Sequence, residues 1–232
     1  MPDLPTTSPG GWFQPMRDDR PNDTPWPAMV WPPTSTRLTG HVVELSPCDP
    51  DRDASPLFHA LHHDAVWRYI PGRPPDAERF AGTLAKLRAE GRFVWIVRLR
   101  RPYAGQAAGA IVGTSSYLDV SVPDARVEVG ATAYMPAAWG TNVNPDTKRL
   151  LLAHAFETLG VGRVQLKTDV RNVRSQQAIA RLGARCEGTL RRHQRRDDGT
   201  VRDSVLFSIL AEEWPSVREG LIARLKEADG AS

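Results

Sequence analysis

The 232-residue chain is long enough for one well-packed domain with some extra sequence at an end, and two full domains would be cramped. Its 41% hydrophobic and 25% charged residues exclude a disordered or fibrous protein, and no apolar run approaches the roughly 20 residues that span a bilayer. A formal charge of +3 and a pI near 9.1 favour anionic ligands without singling out nucleic acid. The start, MPDLPTTSPGGWFQPMRDDR, has no basic segment followed by an apolar stretch, so a cytoplasmic protein is expected. Cys48 and Cys186 are too few and too far apart for a disulfide framework or a zinc knuckle, and buried free thiols are expected.

Residues 1–36 carry many of the 20 prolines and show no helical or strand periodicity. They read as an N-terminal arm, either loosely draped or held at an interface by Trp12, Trp26 and Trp31. Regular patterning over 37–228 marks one domain, and 229–232 is left as a tail. HVVELSP (41–47) reads as a strand, and SPLFHALHH (55–63) and DAERFAGTLAKLRAEG (76–91) read as helices, the latter with Asp76 as N-cap and Gly91 as terminator. FVWIVRLR and GAIVGTSSYLDV are β-rich. In RVEVGATAY, Val127, Val129, Ala131 and Ala133 alternate with Arg126, Glu128, Gly130 and Thr132, which predicts a strand with one apolar face.

After that strand comes MPAAWGTNVNPDTKR (135–149), then Leu152, Ala155, Phe156 and Leu159 at helical spacing up to Gly160. RVQLKTDV (163–170) alternates again. A strand, a helix and a strand with short links form a crossover whose two strands lie parallel. VRSQQAIARLGA predicts another helix, and RCEGTLRRHQRR with RDSVLFSIL predicts a hairpin around Asp198-Gly199, followed by a last amphipathic helix. At the junction 135–149, Asn144 is a plausible N-cap with Pro145 at the first helical position. The N–H groups from Trp139 to Asn144 then line an anion-binding concavity; an ordinary capped helix after a loop is the alternative.

WGTNVNPDTKRLLLAHAFETLG, RVQLKTDVRNVRSQQAIARLGARCEGTLRRH and the closing DSVLFSIL with EEW resemble the GNAT acyltransferases, within their RimJ/RimL-like branch, over roughly residues 37–214. The resemblance implies an α/β (α+β) GNAT acyl-CoA N-acyltransferase fold, a mixed and mostly antiparallel sheet with a splayed parallel strand pair. It implies acetyl-CoA or another acyl-CoA as co-substrate, bound where the pair parts, and an amine acceptor, either a peptide N-terminus or a small molecule. Tyr134 and Met135 fall at the end of the strand that holds the pantetheine. The pyrophosphate loop Q/R-x-x-G-x-G/A aligns with Trp139, Gly140, Thr141, Asn142, Val143 and Asn144, departing from the pattern at three positions. A non-catalytic module with a degenerate loop is therefore the competing reading.

The resemblance also places Asn172 on the cofactor and makes Ser175 the donor that protonates the departing thiolate; the alternative is a plain N-cap and a first-turn serine. Glu128 is the first candidate for the base, with a cross-strand ion pair to an arginine as its alternative. Gln194 falls where the branch carries a carboxylate and cannot serve, whereas His193 titrates near neutrality. The run RRHQRR reads as a solvated hairpin more readily than as a nucleic-acid site, because aromatic residues are scarce around it. His62, His63 and Asp64 point different ways on a helix, and no metal is expected. A homodimer is possible.

Overall fold

The structure is a computed structural model that describes residues 28–34 and 37–229. Strands β1 (Leu38–Thr39) and β2 (Val43–Pro47) form a short hairpin, followed by helices α1 (Pro50–Leu61), α2 (Asp64–Trp67) and α3 (Ala77–Ala89). Strands β3 (Phe93–Leu99), β4 (Ile111–Ser121) and β5 (Arg126–Tyr134) make an antiparallel meander. Helix α4 (Val143–Ala153) crosses over to β6 (Arg163–Asp169), and α5 (Val173–Ala180) comes next. The hairpin β7 (Arg185–Arg195) and β8 (Val201–Leu210) leads into α6 (Trp214–Asp229). The eight strands form one sheet in the order β1-β2-β3-β4-β5-β6-β8-β7. Only β5 and β6 run parallel among these neighbours.

Local chemistry explains most boundaries. The Asp76 carboxylate accepts the Arg79 N–H at 2.7 Å, and Gly91, at φ +85°, leaves α3 by a left-handed turn. Helix α1 begins at Pro50, five residues before the expected start, because a proline at N1 loses no hydrogen bond and Asp51 and Asp53 favour the positive end of the helix dipole. Helix α4 continues into a π turn over His154–Thr158, where the spacing predicted an uninterrupted helix. The Tyr117 hydroxyl donates to the Leu151 carbonyl at 2.7 Å there, and such intrusions disturb a helical ladder.

The sheet is buried on both faces. On one, Trp95, Tyr117, Val127 and Val129 meet Leu151 and Leu152 of α4; on the other, Leu57, Leu61, Phe80 and Leu84 of α1 and α3 cover Val94, Ile96 and Ala133. Met29 and Trp31 belong to the first cluster, so part of the expected arm packs on the sheet. Trp12, Trp26 and the remainder of 1–36 outside 28–34 lie outside the described residues, as do 230–232 of the tail. The expected burial of both thiols is corrected: Cys186 is exposed, since every residue of edge strand β7 is exposed, and Cys48 is half-buried.

One buried carboxylate ties the amino end of the domain to α4. Asp146, with no exposed surface, accepts the N–H groups of Val42 and Val43 at 2.7 and 3.1 Å and pairs with Arg149 at 2.8 Å. A side chain at Gly40 would collide with this carboxylate. Replacing Asp146 by Ala strands two buried N–H groups and a guanidinium, and is expected to cost about 3 kcal/mol of unfolding free energy in urea titration.

Candidate active site

Strands β5 and β6 pair only at Arg126–Arg163, Val127–Val164 and Glu128–Gln165, and beyond Glu128 they part. A bulge in β5 marks the place. The register against β4 shifts between Thr114 and Ser116, and Ala131 adopts φ +46°. The expected single apolar face of β5 is therefore corrected: Val127 and Val129 face α4, Ala131 is exposed, and Ala133 faces α1 and α3. Helices α4 and α5 both start beyond the carboxyl ends of the parting strands, so two helix N-termini with their positive dipole ends border the gap.

The loop into α4 follows from its residues. A 3-10 turn over Pro136–Ala138 ends at Trp139, Gly140 takes φ +73°, and the helix begins at Val143. Asn142, not Asn144, is the N-cap residue, because its carbonyl already accepts the Asp146 N–H at 3.0 Å. The capping side chain is that of Thr141, whose hydroxyl oxygen accepts the Val143 N–H at 3.3 Å. Pro145 sits third in the helix, still within the first turn where a missing N–H costs nothing. The N–H groups of Gly140 and Thr141 meet no partner among the described residues. Free donors of this kind at a helix start suit a phosphate group.

Trp139 replaces the Gln or Arg of the family pattern and brings a cation with it. Its indole N–H donates to the Tyr134 carbonyl at 3.0 Å, and the Arg174 guanidinium lies 3.9 Å from its ring centroid. A side chain from the first turn of α5 thus reaches the loop before α4. The Met135 N–H is engaged by the Val112 carbonyl, so with the Tyr134 carbonyl already taken, less of this strand end is free for a ligand than expected. On α5 the Asn172 side chain accepts the Ser175 N–H at 3.1 Å, which is the capping alternative realised. Ser175 is half-buried, and its hydroxyl makes no hydrogen bond among the described residues.

The sheet face beyond α1 carries the charged groups. Glu128 is buried, pairs with Lys167 of β6 at 2.8 Å and accepts from Gln165 at 3.3 Å, so its partner is a lysine rather than an arginine. His193 of β7 lies 3.1 Å from the Ser204 hydroxyl, and desolvation, reinforced by Lys167 and Arg202, lowers its pKa and keeps the imidazole neutral at pH 7. Arg202 is half-buried, its Nε without a partner, and burial depresses its pKa. The polar alternation of Gln165, Lys167 and Asp169 signalled this face in the sequence; Arg202 had no such signal.

Residues 43–185, more than half of the chain, match the family model of the acetyltransferase (GNAT) domain. The chain belongs to this family and is an acetyltransferase by that membership. It is similar to the crystal structure of an acetyltransferase from T. thermophilus at 36% identity and TM-score 0.74, over 84% of this chain and 100% of that one. A GNAT-family structure from Chromobacterium violaceum matches at 28% identity and TM-score 0.77, over 87% and 99%. RimJ of Mycobacterium smegmatis, solved with CoA-disulfide, shares the fold at 24% identity and TM-score 0.69, over 84% and 95%. Comparison with curated proteins gave no match. No helix among the described residues is long and apolar enough to cross a membrane, and no group of three metal-ligating side chains occurs among them.

Lys148 is the site neighbour that the sequence concealed. Fully desolvated on the inner face of α4, its ammonium reaches the hydroxyls of Thr132 and Ser115 at 2.8 and 3.4 Å, beside the β5 bulge. Burial pushes its pKa down to about 7, against an opposing pull from Glu128. The folded state therefore holds this proton more weakly than the unfolded chain. The stability contribution is complete above the unfolded lysine pKa of about 10.4 and is lost as pH falls to about 7. Stability relative to Lys148→Met is expected to rise by about 1 kcal/mol per pH unit between pH 8 and 10, read from urea titrations; a flat difference contradicts the buried neutral amine.

Proposed function

We propose that the protein is an acetyl-CoA-dependent N-acetyltransferase of the RimJ/RimL-like branch, moving the acetyl group to a primary amine by direct transfer in a ternary complex. The observation that carries the reading is the gap beyond Glu128, bordered by two helix N-termini and the free N–H groups of Gly140 and Thr141. The co-substrate supplies an activated thioester with a diphosphate handle. The unengaged N–H groups and Arg174 hold the diphosphate, and β5 at the Ala131 bulge presents backbone donors to charge developing on the carbonyl oxygen. Ser175 gives a proton to the leaving sulfur.

Glu128 takes the proton of the attacking amine, with neutral His193 as the second candidate on the same face. Lys167 holds the Glu128 carboxylate in place and favours its charged form. The acceptor class remains either a peptide N-terminus or a small-molecule amine. The reading also takes 37–228 as the catalytic domain of a cytoplasmic protein and allows a homodimer, which sedimentation tests.

Thermal unfolding with CoA, acetyl-CoA and succinyl-CoA tests the binding half. A ligand at a hundred times its dissociation constant stabilises by about 2.7 kcal/mol, and no shift at millimolar ligand overturns the reading. Arg174→Ala is expected to weaken CoA binding about tenfold, since an arginine pairs strongly with phosphate. Assayed against a panel of peptide and small amines, Ser175→Ala is expected to lower kcat more than tenfold with CoA affinity unchanged; unaltered turnover removes Ser175 from the mechanism.

A further inference from the structure

A second concave site lies two strands away from the gap, under the edge of the sheet. A groove of about 800 Å³ opens between β2, the start of α1, the end of α3 and β3. Its size is that of a small-molecule pocket. Pro47, Leu84, Phe93 and Val94 provide apolar wall, and the remaining lining is dominated by arginine.

Three of those arginines are neutralised and fixed. Arg37 pairs with Glu44 at 2.5 Å, while Arg52 and Arg98 converge on Asp53 at 2.8 and 2.6 Å. Asp53 is fully buried, so it anchors both guanidinium groups, and Arg98 also donates to the Ser46 hydroxyl at 2.7 Å. Arg88 and Arg92 have no ion pair or side-chain hydrogen bond among the described residues. Arg88 stands in the last turn of α3, where a cation suits the helix dipole. That account does not extend to Arg92, which lies past the helix end and is half-buried. Burial disfavours its charge, and the carboxylates that oppose this act on it without touching it. Cys48, in the same wall, is chemically quiet: burial, with Asp53 and Asp49, pushes its thiol up to about 12.

A half-buried guanidinium without a counter-ion is costly unless something supplies the missing charge. We propose that this groove is a binding site for a small polyanion, such as a phosphorylated or polycarboxylate metabolite, held by Arg88 and Arg92 against walls fixed by Arg52 and Arg98. The site is separate from the acyl-transfer gap and does not depend on the reading of that gap. A ligand of this charge recognised at the outer strands makes the groove an accessory site rather than a place for the attacking amine.

Isothermal titration of the full chain with inorganic pyrophosphate, at low salt and with saturating CoA present to cover the α4 loop, tests the proposal. The wild type is expected to bind saturably at one equivalent, and Arg88→Gln with Arg92→Gln together to weaken binding at least tenfold. Neither side chain makes a contact that the fold needs, and an unchanged melting temperature confirms that the double variant is folded. A parallel titration with citrate distinguishes the sources: binding with the same arginine dependence extends the site to carboxylates, and pyrophosphate binding alone restricts it to phosphates. Absence of saturable binding of either anion, or equal binding by the double variant, overturns the assignment.

Discussion

The site depends on two parallel strands that pair for three residues and then separate. Three cross-strand pairs between β5 and β6 hold the separation point in place, and everything beyond Glu128 and Gln165 is free to diverge. The bulge at Ala131 turns the end of β5 away from its partner and gives its neighbouring side chains new faces. Because α4 and α5 each begin where one of these strands ends, both helix starts are delivered to the same gap. The arrangement is a consequence of crossover topology, with no long loop required to bring the groups together.

Charge burial stabilises this frame and also loads it. Asp146 and Asp53 are both fully buried, and each collects backbone N–H and guanidinium donors, so the cost of desolvating the carboxylate is offset by hydrogen bonds. Lys148 has hydroxyls but no carboxylate within hydrogen-bond reach, and its charge is correspondingly weakened. The Trp139–Arg174 contact is a different solution, keeping a guanidinium next to the loop by its stacking on an aromatic face. These four groups lie on different elements, and together they connect the sheet edge, the loop before α4 and the start of α5.

Much of the frame was readable from residue order. The alternation in 126–134 and 163–169, with a helical repeat and short links between, is sufficient to deduce a parallel crossover, and the sheet contains one. The Asp76 cap and the Asp198-Gly199 turn were legible because both depend on side chains within a few residues of the effect. The bulge was not, since the alternating valines and alanines of β5 look regular and a left-handed alanine has no signature in composition. The start of α4 slipped by two residues because TNVNP offers several competent caps, and the choice is made by the Asn142 carbonyl. Lys148 looked like an exposed residue of a polar first turn, and the pairing of Trp139 with Arg174 joins residues on different elements. Nothing local encodes either one.

The strand order β6-β8-β7 has a consequence for how the chain matures during synthesis. The outer strand β7 leaves the ribosome before β8, yet β8 is the strand that lies against β6 along Arg163–Asp169. Until residue 210 has emerged, the far edge of β6 has no partner, and the wall on the β6 side of the gap is an open strand edge. The amino-terminal hairpin waits in a similar way, since Val42 and Val43 find their acceptor 104 and 103 residues later. The acyl-transfer gap is therefore among the last parts of the molecule to become rigid, and a chain truncated before β8 leaves β6 without its outer neighbour.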